Sequence, residues 1–120
     1  MRSLTIAVAA ALFSVAAQAQ EIVDRSGSVL SKPHTELLFS VLNRELRDGM
    51  SARVSNLREA NGSFCGFVNA KNNFGAYTGF SAFIFRPRDG SLTLLPEPDD
   101  ILYAIKEMNF EILGCPTSLR

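Results

Sequence analysis

The segment CGFVNAKNNFGAYTGF, residues 65–80, gathers Asn69, Lys71, Asn73 and Tyr77 among aromatic and small residues. Amides, an ammonium and a phenol beside aromatic rings can hold a polar ligand such as a glycan or an extended peptide. The same residue types also build a tight hairpin, because Asn and Gly accept left-handed backbone and Asn side chains bond their own main chain. Lys71 is the residue that turn formation explains least. At this stage Asn69, Lys71, Asn73 and Tyr77 are either a recognition surface or the polar trim of a solvated hairpin.

Other chemistries find less support in the residue types. A cysteine nucleophile needs a neighbouring base, usually a histidine. The single histidine, His34, falls in the first turn of an expected helix, where it reads as a surface residue. One His, two distant Cys and the pair Asp99-Asp100 have no metal-ligand spacing, so no metal and no cofactor are expected. There is no G-x-S-x-G around a serine. Glu36, Glu45, Glu59 and Asp89 could supply a glycosidase-type carboxylate pair, but nothing places two in one cleft. The glycines alternate with strand residues and do not open a helix, which argues against a phosphate cradle.

The chain begins MRSLTIAVAAALFSVAAQAQ: Arg2, an apolar run from Leu4 to Ala17, and the small-x-small pattern Ala17-Gln18-Ala19. These are the parts of a secretory signal peptide, residues 1–19, with cleavage expected after Ala19. Gln20 follows the cut, so the new N-terminus offers no cysteine for a lipid anchor. Residues 20–120 are enough for one domain, and no later apolar stretch approaches membrane-spanning length. Without Arg2 the chain holds 11 basic and 12 acidic residues, a balance that gives nucleic acid and anionic lipid no electrostatic hold. In an exported domain Cys65 and Cys115 are most simply one disulfide. Closing that loop of about fifty residues contributes roughly 4 kcal/mol in the chain-entropy model.

The elements that must carry the segment can be read from periodicity. Residues 20–32 are polar and read as a loose lead-in. A helix is expected from Pro33 to Gly49, with Leu38, Val41, Leu42 and Leu46 as its stripe and Leu37 beside it. Four strands follow, over 51–59, 63–71, 76–85 and 91–95, with Asn61-Gly62 as a two-residue hairpin turn and Asn72–Gly75 as a second turn. Gly66 and Gly79 inside strands point to bulges, bends or close approaches. After Pro96-Glu97-Pro98, Asp99 or Asp100 is expected to cap a last helix that buries Ile101, Leu102, Ile105 and Met108. The expected fold is α+β: a four-stranded antiparallel meander with the N-terminal and C-terminal helices packed on one face, and one disulfide. The other face would carry Phe as well as Asn and Lys. That composition is unusual for bare solvent, and the N-terminal segment or a partner is the expected cover.

Cys65-Gly66, Val68-Asn69-Ala70-Lys71-Asn72, Gly75, Tyr77, Gly79-Phe80 and Phe83 together resemble the CGxVNAKNxxGGYxGFxxF block of a family of small exported bacterial proteins. Some members of that family are lipoproteins or prophage-encoded. Ser51-Ala52 and Leu57 echo its upstream DPxSAxFRxL segment, and Cys115 its late cysteine, so the resemblance runs over roughly residues 48–115. The chain departs from the pattern at Phe67, where a polar or acidic residue is usual, and at Ala76, where a glycine is. Asp48-Gly49-Met50 lacks the family's proline, and there is no lipobox. The resemblance implies export and a shared fold, and implies no reaction.

The expected function is therefore that of a non-enzymatic binding or accessory protein of the bacterial envelope, periplasmic or secreted. It would recognise a protein or envelope component through the 64–80 hairpin. A small hydrolase or an inhibitor of one is the alternative from another class. A structural protein that self-associates through an aromatic sheet face is a third.

Overall fold

A computed structural model describes residues 19–119; the expected signal peptide falls almost wholly outside them. Within this range the helix α1 spans Lys32–Glu45 and α2 spans Tyr103–Leu113. The strands are β1 (Glu21–Ile22), β2 (Arg53–Ala60), β3 (Ser63–Asn69), β4 (Ser81–Arg86) and β5 (Ser91–Leu94), in the order β1-β2-β3-β4-β5.

The strands β2 to β5 form the antiparallel meander expected from the sequence. Its first turn is Asn61-Gly62, both with positive φ (50° and 82°), which lets Ala60 pair with Ser63 across a two-residue loop. The sheet nevertheless has five strands and is mixed, because β1 adds in parallel beside β2. Residues 20–32 are therefore no loose lead-in. Val23 N donates to Val54 O (2.8 Å), a 3-10 turn follows over Arg25–Val29, and Leu30 is buried in the core. Alternating hydrophobicity could not reveal a two-residue strand that owes its place to the neighbour it pairs with.

α1 forms where its signals lie. Ser31 accepts from His34 N at 3.3 Å, Pro33 sits in the first turn, and Leu38, Val41 and Leu42 are buried on one side. They pack with Val54, Leu57, Phe64, Val68, Phe83 and Phe85 on one face of the sheet. Gly66 lies in β3 because space runs out there: a Cβ would sit 2.7 Å from the Phe83 ring and 3.0 Å from Leu57.

The other face carries Cys65, Phe67, Ala82 and Ile84, and Phe110 of α2 and Cys115 cover it. The helices thus lie on opposite faces of the sheet, against the expectation that both pack on one. The alternation in β3 explains why: Phe64 and Val68 point one way and Cys65 and Phe67 the other, so both faces are apolar and each needs a cover. Cys65 and Cys115 form the expected disulfide, Cα to Cα 5.7 Å, which fastens the chain after α2 to β3. The second face is covered by this helix and disulfide rather than by the N-terminal segment, and neither face is left open for self-association.

Two further expectations about α2 fail. Ile101, Leu102, Ile105 and Met108 are exposed, and Phe110 is the buried residue of the helix. Asp100 accepts from Leu102 N (2.8 Å) and shapes the turn before the helix, whose own N-cap, Leu102, makes no side-chain bond. The helix ends at Gly114, with Cys115 N bonded to Phe110 O at 2.8 Å. No described helix is long and apolar enough to cross a membrane.

Candidate functional site

β3 ends at Asn69 and β4 begins only at Ser81, so residues 70–80 are a loop and not the strand expected from 76. The loop folds as a small hairpin of its own. Lys71 and Tyr77 face each other across a bridge, Asn72 N donates to Ala76 O (2.8 Å), and Gly75 N donates to Asn72 O (3.0 Å). The Asn72 side chain accepts from Phe74 N (2.9 Å) and Ala76 N (3.2 Å), closing the tip from inside. At the base, Asn69 Oδ1 accepts from Gly79 N at 3.1 Å.

The loop is braced from outside by Ser51, in the turn before β2. Ser51 Oγ accepts from Lys71 N (2.9 Å) and donates to Asp48 O (2.7 Å), while Ser51 O accepts from the Tyr77 hydroxyl (3.0 Å). Two cations approach the Tyr77 ring, with Arg53 Cζ 4.0 Å and Lys71 Nζ 5.6 Å from its centroid. Each such contact is worth about 0.5–1 kcal/mol where water has access. Arg47, just beyond α1, donates to the Asn73 side chain.

The structure therefore brings Asn69, Lys71, Asn73 and Tyr77 into one hairpin, but with unequal freedom. Asn69, Asn73 and Tyr77 spend polar atoms on holding the loop. The Lys71 ammonium meets no carboxylate within ion-pair distance among the described residues. Beside it a cleft of about 360 Å³ opens between the root of the hairpin, the end of α1 and the exit from β5. Leu46, Val68, Leu94 and Leu95 give it an apolar lining, and Arg47, Lys71 and Glu97 lie at its polar positions. Arg47, like Lys71, is without an ion pair among the described residues. The cleft can take a ligand with an apolar body and an anionic group.

At the tip, Phe74 is 93 % exposed. An aromatic ring in water on a braced loop is a group that little ordering cost would oppose on docking. Sequence reasoning missed Phe74, Arg47, Arg53 and Ser51. Phe74 had a signal, since the Asn72 turn must project the residue two positions on. Ser51 and the arginines had none, being brought by the fold to Lys71, Asn73 and Tyr77 from 20 or more positions away.

The enzymatic alternatives gain no machinery here. Both cysteines are in the disulfide, so neither offers a thiolate. His34 is half-buried with its ring 6.1 Å from that of Phe64, a packing contact. Glu97 is the one carboxylate lining the cleft among the described residues, so a carboxylate pair is not assembled there. No group of three or more His, Cys, Asp or Glu side chains comes together as a metal site among the described residues. No family model matches the chain, and no curated protein or solved structure is significantly similar to it.

Proposed function

We propose that this is an exported binding protein of the bacterial envelope, periplasmic or secreted, that recognises a protein or envelope component through the hairpin of residues 64–80. The observation that carries the reading is the combination of a braced loop, an exposed ring at its tip and, at its root, an apolar cleft whose Arg47 and Lys71 have no ion pair among the described residues. A solvated hairpin needs neither the ring nor the cleft. Export is supported by the disulfide, which persists in oxidising compartments. The resemblance of the VNAKN segment to a family of exported proteins agrees with it.

The test uses the exposed Phe74 and the half-buried Lys71, whose substitution keeps the backbone hydrogen bonds that brace the loop. Mature protein is immobilised and exposed to envelope extract, alongside Phe74→Ser and Lys71→Glu variants of equal melting temperature. A ligand retained by the wild type and lost from either variant supports the reading. Identical retention by all three ends it.

Inhibition of a hydrolase is the second reading, favoured by one feature: a rigid loop with a single projecting side chain suits insertion into another protein's cleft. It predicts that Phe74→Ser alone abolishes inhibition of a co-exported hydrolase. Equal inhibition by the variant would exclude this route.

A further inference from the structure

The face of α2 turned away from the sheet carries Ile105, Met108 and Ile112, and Ile101, in the turn just before the helix, continues their spacing. Ile101, Ile105, Met108 and Ile112 are 91, 64, 59 and 74 % exposed, together a little under three fully exposed side chains. At 3.6 residues per turn, Ile105, Met108 and Ile112 lie roughly 140–160° around the helix from the buried Phe110. The helix is thus apolar on two opposite sides, and the core uses one. Ala104 and Asn109 flank the outer stripe, and both are exposed. Glu111 is the only charge at its margin, while Lys106 and Glu107 sit on the half-buried shoulders.

We propose that this stripe is a homodimer interface in which α2 of one copy packs antiparallel on α2 of a second. Three observations select a second copy as the occupant. The spacing of four, three and four residues reads the same in both directions. A two-fold axis between residues 106 and 107 therefore sets Ile101 against the partner's Ile112 and Ile105 against the partner's Met108, and closes the contact on itself.

The area fits a weak contact. At ~100 Å² per fully exposed aliphatic side chain, two copies contribute about 580 Å² of apolar surface. With about 60–65 % of an interface nonpolar, the whole contact reaches about 900–950 Å². That lies just under the ~1,000 Å² of a stable specific interface, so the association is weak and reversible. Charge points the same way. The stripe bears none, and Lys106 is the lone basic residue of the helix, so an anionic lipid surface has nothing to hold. The interface is separate from the hairpin and stands or falls independently of the function proposed above.

The test is sedimentation equilibrium of the mature, oxidised protein. The apparent mass should double as concentration rises through the micromolar range. Ile105→Lys and Met108→Glu variants should each stay monomeric with the wild-type monomer's melting temperature, because both side chains are already in water in the single copy. An equimolar mixture of the two should recover the dimer, since the antiparallel register puts the new cation opposite the new carboxylate. A wild type that remains monomeric up to about 1 mM, a dimer untouched by either substitution, or a mixture that fails to associate would each overturn the proposal.

Discussion

Tyr77 shows how a residue chosen for its chemistry turns out to hold structure. Its hydroxyl bonds to the Ser51 carbonyl and its ring contacts both Arg53 and Lys71. Tyr77→Phe removes the hydroxyl and keeps the ring, so we expect a loss of about 1 kcal/mol from one part-buried hydrogen bond. Urea unfolding measures it, and an unchanged midpoint would show that the Tyr77–Ser51 bond does not brace the loop. Ligand capture by the same variant should be unaffected, whereas Lys71→Glu should abolish capture at nearly unchanged stability. The turn chemistry of Asn61-Gly62 and Asn72 was legible because it is local: the side chain and the backbone it serves are neighbours in the chain. The partners of Asn73 and Tyr77 were not, because Arg47 and Ser51 arrive only when α1 and the turn before β2 are in place.

Among the elements, α2 was read correctly as a helix with an apolar stripe and incorrectly as to which residues it buries. Periodicity reports that one side is apolar, and it cannot say whether the core or another copy covers that side. With Ile101, Leu102, Ile105 and Met108 outside, α2 is held to the sheet by Phe110, by Leu113, by the Arg58 guanidinium bonded to Gly114 O, and by Cys65–Cys115. The meander was legible because its turns and alternation are local signals, while β1 was not, being defined by its partner. It follows that the disulfide matters most to α2. We expect reduction to release the helix as a local unit before the sheet unfolds, through the loss of a loop constraint worth roughly 4 kcal/mol. Hydrogen exchange on reduced protein should show protection lost over residues 103–113 and kept over β2 to β4. Uniform loss across both would mean that helix and sheet unfold together.

For the whole molecule, the N-terminal segment closes the fold, and one carboxylate latches it. Asp24 accepts from the Ser26 hydroxyl and amide and, at 2.8 Å, from Asn56 N. That last donor belongs to a bulge in β2, where Asn56 has φ 54° and the pairing with β3 shifts register. The bulge turns an amide out of the ladder, and Asp24 captures it from 32 residues away. Partial desolvation pushes the Asp24 carboxyl up, but the hydrogen bonds from Ser26 and Asn56 outweigh it and hold the group below its ordinary 3.8. A carboxylate with a depressed value in the folded state stabilises the fold above its unfolded value. That contribution is lost as pH falls from about 3.8 through the lower, folded value. Asp89 is held low in the same direction by its bonds from Ser91, so its acid titration adds to the same slope. The two separate by substitution. Asp24→Asn should be less stable than the wild type at pH 7 and should flatten the fall in unfolding free energy below pH 4, whereas Asp89→Asn should leave the Asp24 part of that slope in place. Because Asp24 joins the N-terminal segment to β2, its protonation should also free that segment first, seen as faster exchange at Val23 and Asn56 before the helices respond. An Asp24→Asn protein with the wild-type acid profile would show that the latch carries no part of the fold's pH dependence.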